Sequence, residues 1–257
     1  MVIFKTEAEI EIMAEAGHRL AKILAILKNE TKAGIPTEYL EKRTRVLIKE
    51  AGAEAAFLNY EPAASSKPYP AALCVSVNDT VVHGLPSNYV LKEGDLVKLD
   101  LGLKYGGFYV DAALTVGLEK ISDKARRLLQ VTERALELAI SHARPGKRLG
   151  DIGQAVQNFV ERNKFSVLKT LTGHGIGKSL HEEPTVLNFG KRGSGAKLEA
   201  GMVLAIEPMV SASPPPQGEK VIQKEDDSFA TSDGSLSAHF EHTVAITETD
   251  PRILTKI

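Results

Sequence analysis

The chain holds a single cysteine, Cys74, which excludes any intrachain disulfide. It has no excess of either charge: 32 Lys plus Arg stand against 33 Asp plus Glu, a formal net charge of −1. No basic patch or acidic tail stands out, so direct binding of nucleic acid or of an anionic membrane is not expected. No apolar run reaches the ~18 residues that a spanning helix needs. The opening stretch, MVIFKTEAEIEIM, carries acids where a secretory signal is basic and then apolar. There is no zinc-finger spacing and no low-complexity tract beyond Pro214–Pro216. These absences point to the cytoplasm. What is present is apolar material: 43% of the 257 residues are hydrophobic, enough for one large α/β domain or two modest ones.

Thr6-Glu7-Ala8-Glu9 fits a capping box, and apolar residues from Ile10 to Leu27 follow at helical spacing to an end near Lys28–Asn29. Gly34-Ile35-Pro36-Thr37 reads as a turn with Thr37 as the next N-cap, for a helix that stops at Gly52. Phe57 to Pro70 reads as a loop, and Leu73 to Val77 as a short strand. Ser122 caps a long helix that Pro145-Gly146 breaks, and a fourth helix runs from about Leu149 to Arg162. Gly173-His174-Gly175 lies in a stretch too glycine-rich for a helix, read as a loop with close backbone approach. Leu198 to Val210 and Leu236 to Ile246 read as strands, with a polar loop from Ser211 to Gly234 between them.

The stretch from Gly94 to Val116 reads as two strands around a Gly-Gly turn. Counted symmetrically about Tyr105–Gly106, Asp100 and Asp111 face each other across the ladder. Directly opposite Cβ atoms sit roughly 4.5–5.5 Å apart, where like charges destabilise. Such a pair wants a cation between its members, or a shared proton; two solvated aspartates on an outer face are the other reading. A second stretch matches the first: Leu91 to Asp100 parallels Leu198 to Glu207, and upstream Gly34 to Leu40 parallels Gly146 to Ile152. The order helix, helix, strands occurs twice, which predicts two similar halves about a pseudo-twofold axis. Asp100 and Asp111 from one half then converge with Glu207 and Glu241 from the other.

His174 completes an oxygen-rich set with one imidazole and no thiolate. It suits Mn²⁺ or Fe²⁺, with Co²⁺ or Zn²⁺ open. Four carboxylates are too many anions for one ion, whereas two ions roughly 3.5–4 Å apart balance them. A water held between two such ions is acidified to a nucleophile near neutral pH, which is the chemistry of amide or ester hydrolysis. His83 and His181 lie near the same elements, where a substrate or an oxyanion can accept from them. His239 and His242 flank Glu241 and are read as supporting or structural. Taken singly, Glu207, His174, His83 and His181 are each more often surface, turn or loop residues, and Glu241 fits a solvated strand position; the matched arrangement weighs against that.

His174-Gly-Ile-Gly…His181-Glu-Glu-Pro, Glu207-Pro-Met, Ser235-Leu-Ser-Ala-His-Phe-Glu241-His-Thr and the eleven-residue step from Asp100 to Asp111 resemble the type I methionine aminopeptidases, over nearly the whole chain. The resemblance implies an α/β pita-bread fold: two pseudo-symmetric αβ halves around a central antiparallel sheet, here about 1–118 and 119–257 of a single catalytic domain. It implies two divalent metal ions (Co, Mn, Fe or Zn). It also implies removal of the initiator methionine from nascent polypeptides, near the ribosome, when the second residue is small, by a monomer. On this resemblance Asp100 chelates one metal, Asp111 and Glu241 bridge both, and His174 and Glu207 complete the other. Glu207 is also the general base, His83 sits near the scissile amide or the substrate's amino end, and His181 hydrogen-bonds the carbonyl oxygen as it turns anionic. Tyr69 and Cys74 line a methionine pocket, soft enough for a thioether.

This chain departs from many relatives in carrying Leu180 where they have an aromatic residue. It also has no Trp: Asp227 stands at the tryptophan position, with Phe229 as a substitute. An Xaa-Pro peptidase of the same fold is one alternative, but such relatives carry an extra N-terminal domain for which this chain has no room. A metal-free binding homologue is another, but such a chain loses ligands that are all present here.

Overall fold

The computed structural model describes residues 2–61 and 67–256. Residues 62–66 of the loop expected from Phe57 to Pro70 lie outside the described residues. Helix α1 (Glu7–Glu30) opens on the expected capping box: the Thr6 hydroxyl accepts from the Glu9 amide, and the Glu9 carboxylate accepts from the Thr6 amide. Its buried stripe, Met13, Gly17, Leu20, Leu24 and Leu27, repeats at three- and four-residue steps and faces the core. Helix α2 (Thr37–Glu50) differs from expectation at its start, where Pro36 is the cap. The Thr37 hydroxyl is occupied elsewhere, donating to the Ser87 carbonyl and accepting from the Ser87 amide.

Strands β1 (Glu54–Ala55), β2 (Cys74–Val77) and β3 (Thr80–Val82) precede the long hairpin β4 (Leu96–Tyr105) and β5 (Phe108–Gly117). β5 pairs along one edge of β4, and β2 and β1 along the other. The hairpin register corrects the symmetric count. Gly106 and Gly107, with φ of 59° and 84°, make the two-residue turn, and Tyr105 pairs with Phe108. Asp100 therefore faces Ala113, and Asp111 faces Gly102. The two aspartates are diagonal neighbours, kept on one face by the two-residue period of the strand.

Ser122 caps α3 (Asp123–His142) through the Ala125 amide, and α4 (Leu149–Arg162) follows as expected. Then come β6 (Ser166–Val167), β7 (Gly173–Gly175), β8 (Glu182–Val186), β9 (Val203–Ile206) and β10 (Met209–Ser211). The chain closes with β11 (Val221–Gln223), β12 (Phe229–Thr231), β13 (Ser237–His239), β14 (His242–Ala245) and β15 (Arg252–Ile253). The stretch from Ser211 to Gly234 is thus not all loop, since β11 and β12 join β3 in a small sheet.

Gly173–Gly175 is also a strand rather than a loop, set between β8 and β9. The glycines are there for the close approach: a Cβ on Gly173 would lie 2.3 Å from the Ala205 carbonyl oxygen, and one on Gly175 2.2 Å from that of Glu183. The two expected C-terminal strands are each broken. β9 pairs with β14 in one sheet, while β10 pairs with β13 in another. One two-stranded ribbon thus passes from sheet to sheet, bending at Glu207-Pro208 and at Phe240-Glu241.

The internal match extends to backbone hydrogen bonds. Gly34 N donates to Leu91 O, Gly94 N to Leu118 O and Leu118 N to Asp95 O. Gly146 N donates to Leu198 O, Gly201 N to Ile246 O and Ile246 N to Met202 O. The four glycines share a φ near 90°: 91°, 90°, 83° and 92°. β5 meets β14 between the two sheets, where Glu241 N donates to Ala113 O and the Thr243 hydroxyl bridges the Asp111 amide and carbonyl.

Candidate metal centre

A cavity of about 620 Å³ opens at this junction, and all ten residues singled out from the sequence line it. Asp100 and Asp111 come from the hairpin, and Glu207 and Glu241 from the two bends of the ribbon. The four residues are only 7%, 4%, 9% and 2% exposed. Four buried carboxylates in one cavity are costly unless something compensates their charge.

Compensation from the protein is incomplete. Among the described residues, Asp100 Oδ1, Asp111 Oδ1 and Glu241 Oε1 have no hydrogen-bond partner. Burial pushes the Asp100, Glu207 and Glu241 carboxyls well above the usual range, and the neighbouring carboxylates push them further. Asp111 is pushed up to about 7 by burial, against the opposing pull of the Ala112 amide. Burial and mutual repulsion favour the protonated forms of these carboxyls, so without a cation this site holds protons.

His174 sits on β7 between the two glycines. Its Nδ1–H donates to the Gly175 carbonyl at 2.8 Å, which leaves the Nε2 lone pair free, 3.6 Å from Glu207. Burial lowers its pKa to about 4, so it is neutral at pH 7 and available as a ligand. Ligand atoms of Asp111, His174 and Glu241 lie within 4.8 Å of one another, and so do those of Glu207, His239 and Glu241. Hard carboxylate oxygens without partners, converging with one free imidazole nitrogen, fit a divalent cation.

On the open side, His83 has a φ of 60° and packs edge-on against Phe229, with ring centroids 5.8 Å apart. Phe229 thus stands beside the site, held there by the pairing of β12 with β3. His181 meets His174 edge to face at 4.4 Å. Its pKa falls to about 3, first through burial and then through His174 and His83. The Tyr69 hydroxyl donates to the Gly84 carbonyl at 3.0 Å. Cys74 pairs with Asp100 in the ladder, and burial and that carboxylate push its thiol well up. It is therefore a neutral wall and not a nucleophile. Leu180 is buried in the same wall.

Two contacts have no counterpart in the sequence reading. Tyr60 hydrogen-bonds His181 across 121 positions of chain. His239, fully buried, places Nε2 3.4 Å from Glu207 and 3.8 Å from Glu241, with neither ring nitrogen hydrogen-bonded among the described residues. Its place two residues before Glu241 was the one available signal, and that offset did not reveal that its ring turns across the bend toward Glu207.

No helix among the described residues is long and apolar enough to cross a membrane. The chain matches metallopeptidase family M24 over residues 11–248. It is 44% identical over 259 residues to a methionine aminopeptidase of Clostridium perfringens, and 42% identical over 259 residues to methionine aminopeptidase 1 of Bacillus subtilis, with both chains fully covered in each case. Among solved structures, methionine aminopeptidase from Thermotoga maritima superposes with a TM-score of 0.94 at 41% identity, covering all of both chains. A prolidase from Pyrococcus furiosus superposes at 0.79 with 23% identity, over 99% of this chain and 66% of that one, a likeness of fold alone.

Proposed function

The chain belongs to metallopeptidase family M24, and from that premise we propose that it removes methionine from the N-termini of polypeptides whose second residue is small. The observation that carries this reading is the junction of four buried, under-bonded carboxylates and His174 with a cavity walled by Tyr69, Cys74 and Leu180. Asp100, Asp111, His174, Glu207 and Glu241 would hold two divalent ions. The oxygen-rich donor set favours Mn²⁺ or Fe²⁺, with Co²⁺ and Zn²⁺ as further candidates. Ions bound there supply Lewis acidity and a water of lowered pKa.

The chain's own groups do the rest. Glu207 accepts a proton from the attacking water and returns it to the leaving amine. His181 donates a hydrogen bond to the carbonyl oxygen as charge develops on it, and His83 positions the scissile amide. Tyr69, Cys74 and Leu180 receive the methionine side chain; their neutral, soft surface suits a thioether. The near-balanced charge of the chain supports action without direct nucleic-acid or anionic-membrane binding. The repeated hydrogen-bond pattern supports one catalytic domain with halves near 1–118 and 119–257.

The test is release of methionine from Met-Ala-Ser-type peptides with added Mn²⁺, Co²⁺ or Fe²⁺, set against Xaa-Pro peptides and a metal-free blank. Methionine release only with metal is expected. Folded protein that releases none under any metal would overturn the reading, and preferential cleavage of Xaa-Pro peptides would replace it.

A further inference from the structure

We propose that Tyr60 is a positioning residue that sets the tautomer of His181, keeping its proton on Nε2 so that this ring acts as a donor. The inference rests on the reading of His181 as the oxyanion partner. Tyr60 Oη lies 2.5 Å from His181 Nδ1, and the rings meet edge to face with centroids 5.1 Å apart. Of the two groups the phenol is the stronger acid, and the imidazole nitrogen is the stronger base. The bond therefore runs O–H to Nδ1, and a neutral ring whose Nδ1 accepts must carry its hydrogen on Nε2.

His174, 4.4 Å away, is held in the opposite sense. A carbonyl can only accept, so the Gly175 oxygen forces the proton onto Nδ1 of His174. Two adjacent imidazoles thus take opposite tautomers from opposite partners. His174 keeps a lone pair for a cation, and His181 keeps an N–H for an oxyanion. Among the described residues Tyr60 is the hydrogen-bond partner of His181 Nδ1, so its removal would free that nitrogen to take the proton.

Both ends of the contact are anchored. Tyr60 N donates to Phe57 O, Tyr69 N donates to Tyr60 O, and Asn59 N donates to Tyr69 O, which fixes the backbone on both sides of Tyr60. Next to His181, the Glu182 carboxylate accepts from Lys5 at 2.5 Å and from the Ser179 amide at 3.0 Å.

The experiment is long-range ¹H–¹⁵N NMR of the ¹⁵N-histidine-labelled, Zn²⁺-loaded chain, with His181 assigned by His181→Ala. Expected are a protonated Nε2 and an Nδ1 signal shifted upfield by an accepted hydrogen bond, moving downfield in Tyr60→Phe. A protonated Nδ1 in the unmodified chain, or an Nδ1 signal indifferent to Tyr60→Phe, would overturn the proposal. Kinetics supply the second arm. Tyr60→Phe should lower kcat roughly tenfold with KM changed less than about twofold, and should cost nothing further in a His181→Ala background. An equal loss in both backgrounds would make Tyr60 a mere pocket wall. If the chain releases no methionine at all, the proposed activity fails, while the spectra still decide the tautomer.

Discussion

Asp100 and Asp111 stand on one face of the β4–β5 ladder, offset diagonally by two residues. The Gly106-Gly107 turn sets that offset. A ladder centred one residue earlier would place the two acids directly opposite. The diagonal keeps both carboxylates on the cavity side while holding their Cβ atoms farther apart than a facing pair.

Metal should therefore stabilise this protein. The chelated chain must hold protons on buried carboxylates or bear their repulsion, and the loaded chain need not. At a metal concentration a hundredfold above Kd the gain is about 2.7 kcal/mol, roughly 5–10 °C in Tm for a chain of this size. Scanning calorimetry with and without chelator measures it, and identical melting would contradict a metal role for the four acids.

That gain should grow with pH. Asp111 titrates at about 7 in the folded chain, against roughly 3.9 when unfolded. Between those values the folded metal-free chain holds the extra proton, so it loses this stability as pH rises through about 7. Metal displaces the same proton, so the difference in Tm between loaded and chelated protein should widen from pH 5.5 to 7.5. A difference that narrows over that range would contradict the buried-acid account.

Asp100→Asn tests the hairpin's part in the chemistry. The amide keeps the volume but removes one anionic ligand. Hydrolysis should fall to background while far-UV circular dichroism is unchanged, and the chelated variant should melt no lower than the chelated parent. Wild-type turnover in this variant would remove the hairpin from the mechanism.

His239 should matter to metal affinity although it lies outside the five ligands inferred from the sequence. Its Nε2 is directed at Glu207 and Glu241, the two acids on the bends of the ribbon. Partners of ligating carboxylates typically contribute 10–100-fold to metal affinity. His239→Leu should therefore raise the Kd for Mn²⁺ about tenfold or more by isothermal titration, and an unchanged Kd would reduce His239 to packing.

Local signals were legible in the sequence, and long-range ones were not. The Thr6 and Ser122 caps lie within a few residues of the amides they satisfy, so composition alone exposed them. The repeat was legible because Gly34, Gly94, Gly146 and Gly201 adopt a backbone geometry that glycine favours. The hairpin register was missed because Tyr105-Gly106 and Gly106-Gly107 are both plausible turn centres, one residue apart. Pro208 marked the bend at Glu207, but the bend at Glu241 left no mark, since an apolar strand reads the same in either sheet. The Tyr60–His181 contact depends on how a loop closes over a distant strand, which no spacing records.

The Lys5–Glu182 pair offers the last test. Both side chains are almost fully buried, at 2% and 3% exposure, with Nζ to Oε2 at 2.5 Å. Lys5→Met would leave the Glu182 carboxylate buried with, among the described residues, only the Ser179 amide as partner. Breaking a buried pair from one side typically costs about 3–5 kcal/mol, whereas replacing both partners by apolar groups is often near neutral. Urea unfolding of the metal-loaded protein should show that single-variant loss and its large recovery in Lys5→Met/Glu182→Leu. Because Glu182 adjoins His181, kcat should fall in Lys5→Met as well. A single-variant loss below about 1 kcal/mol would put the pair in the class of surface ion pairs, and the N-terminal arm would then have no part in holding the His181 loop.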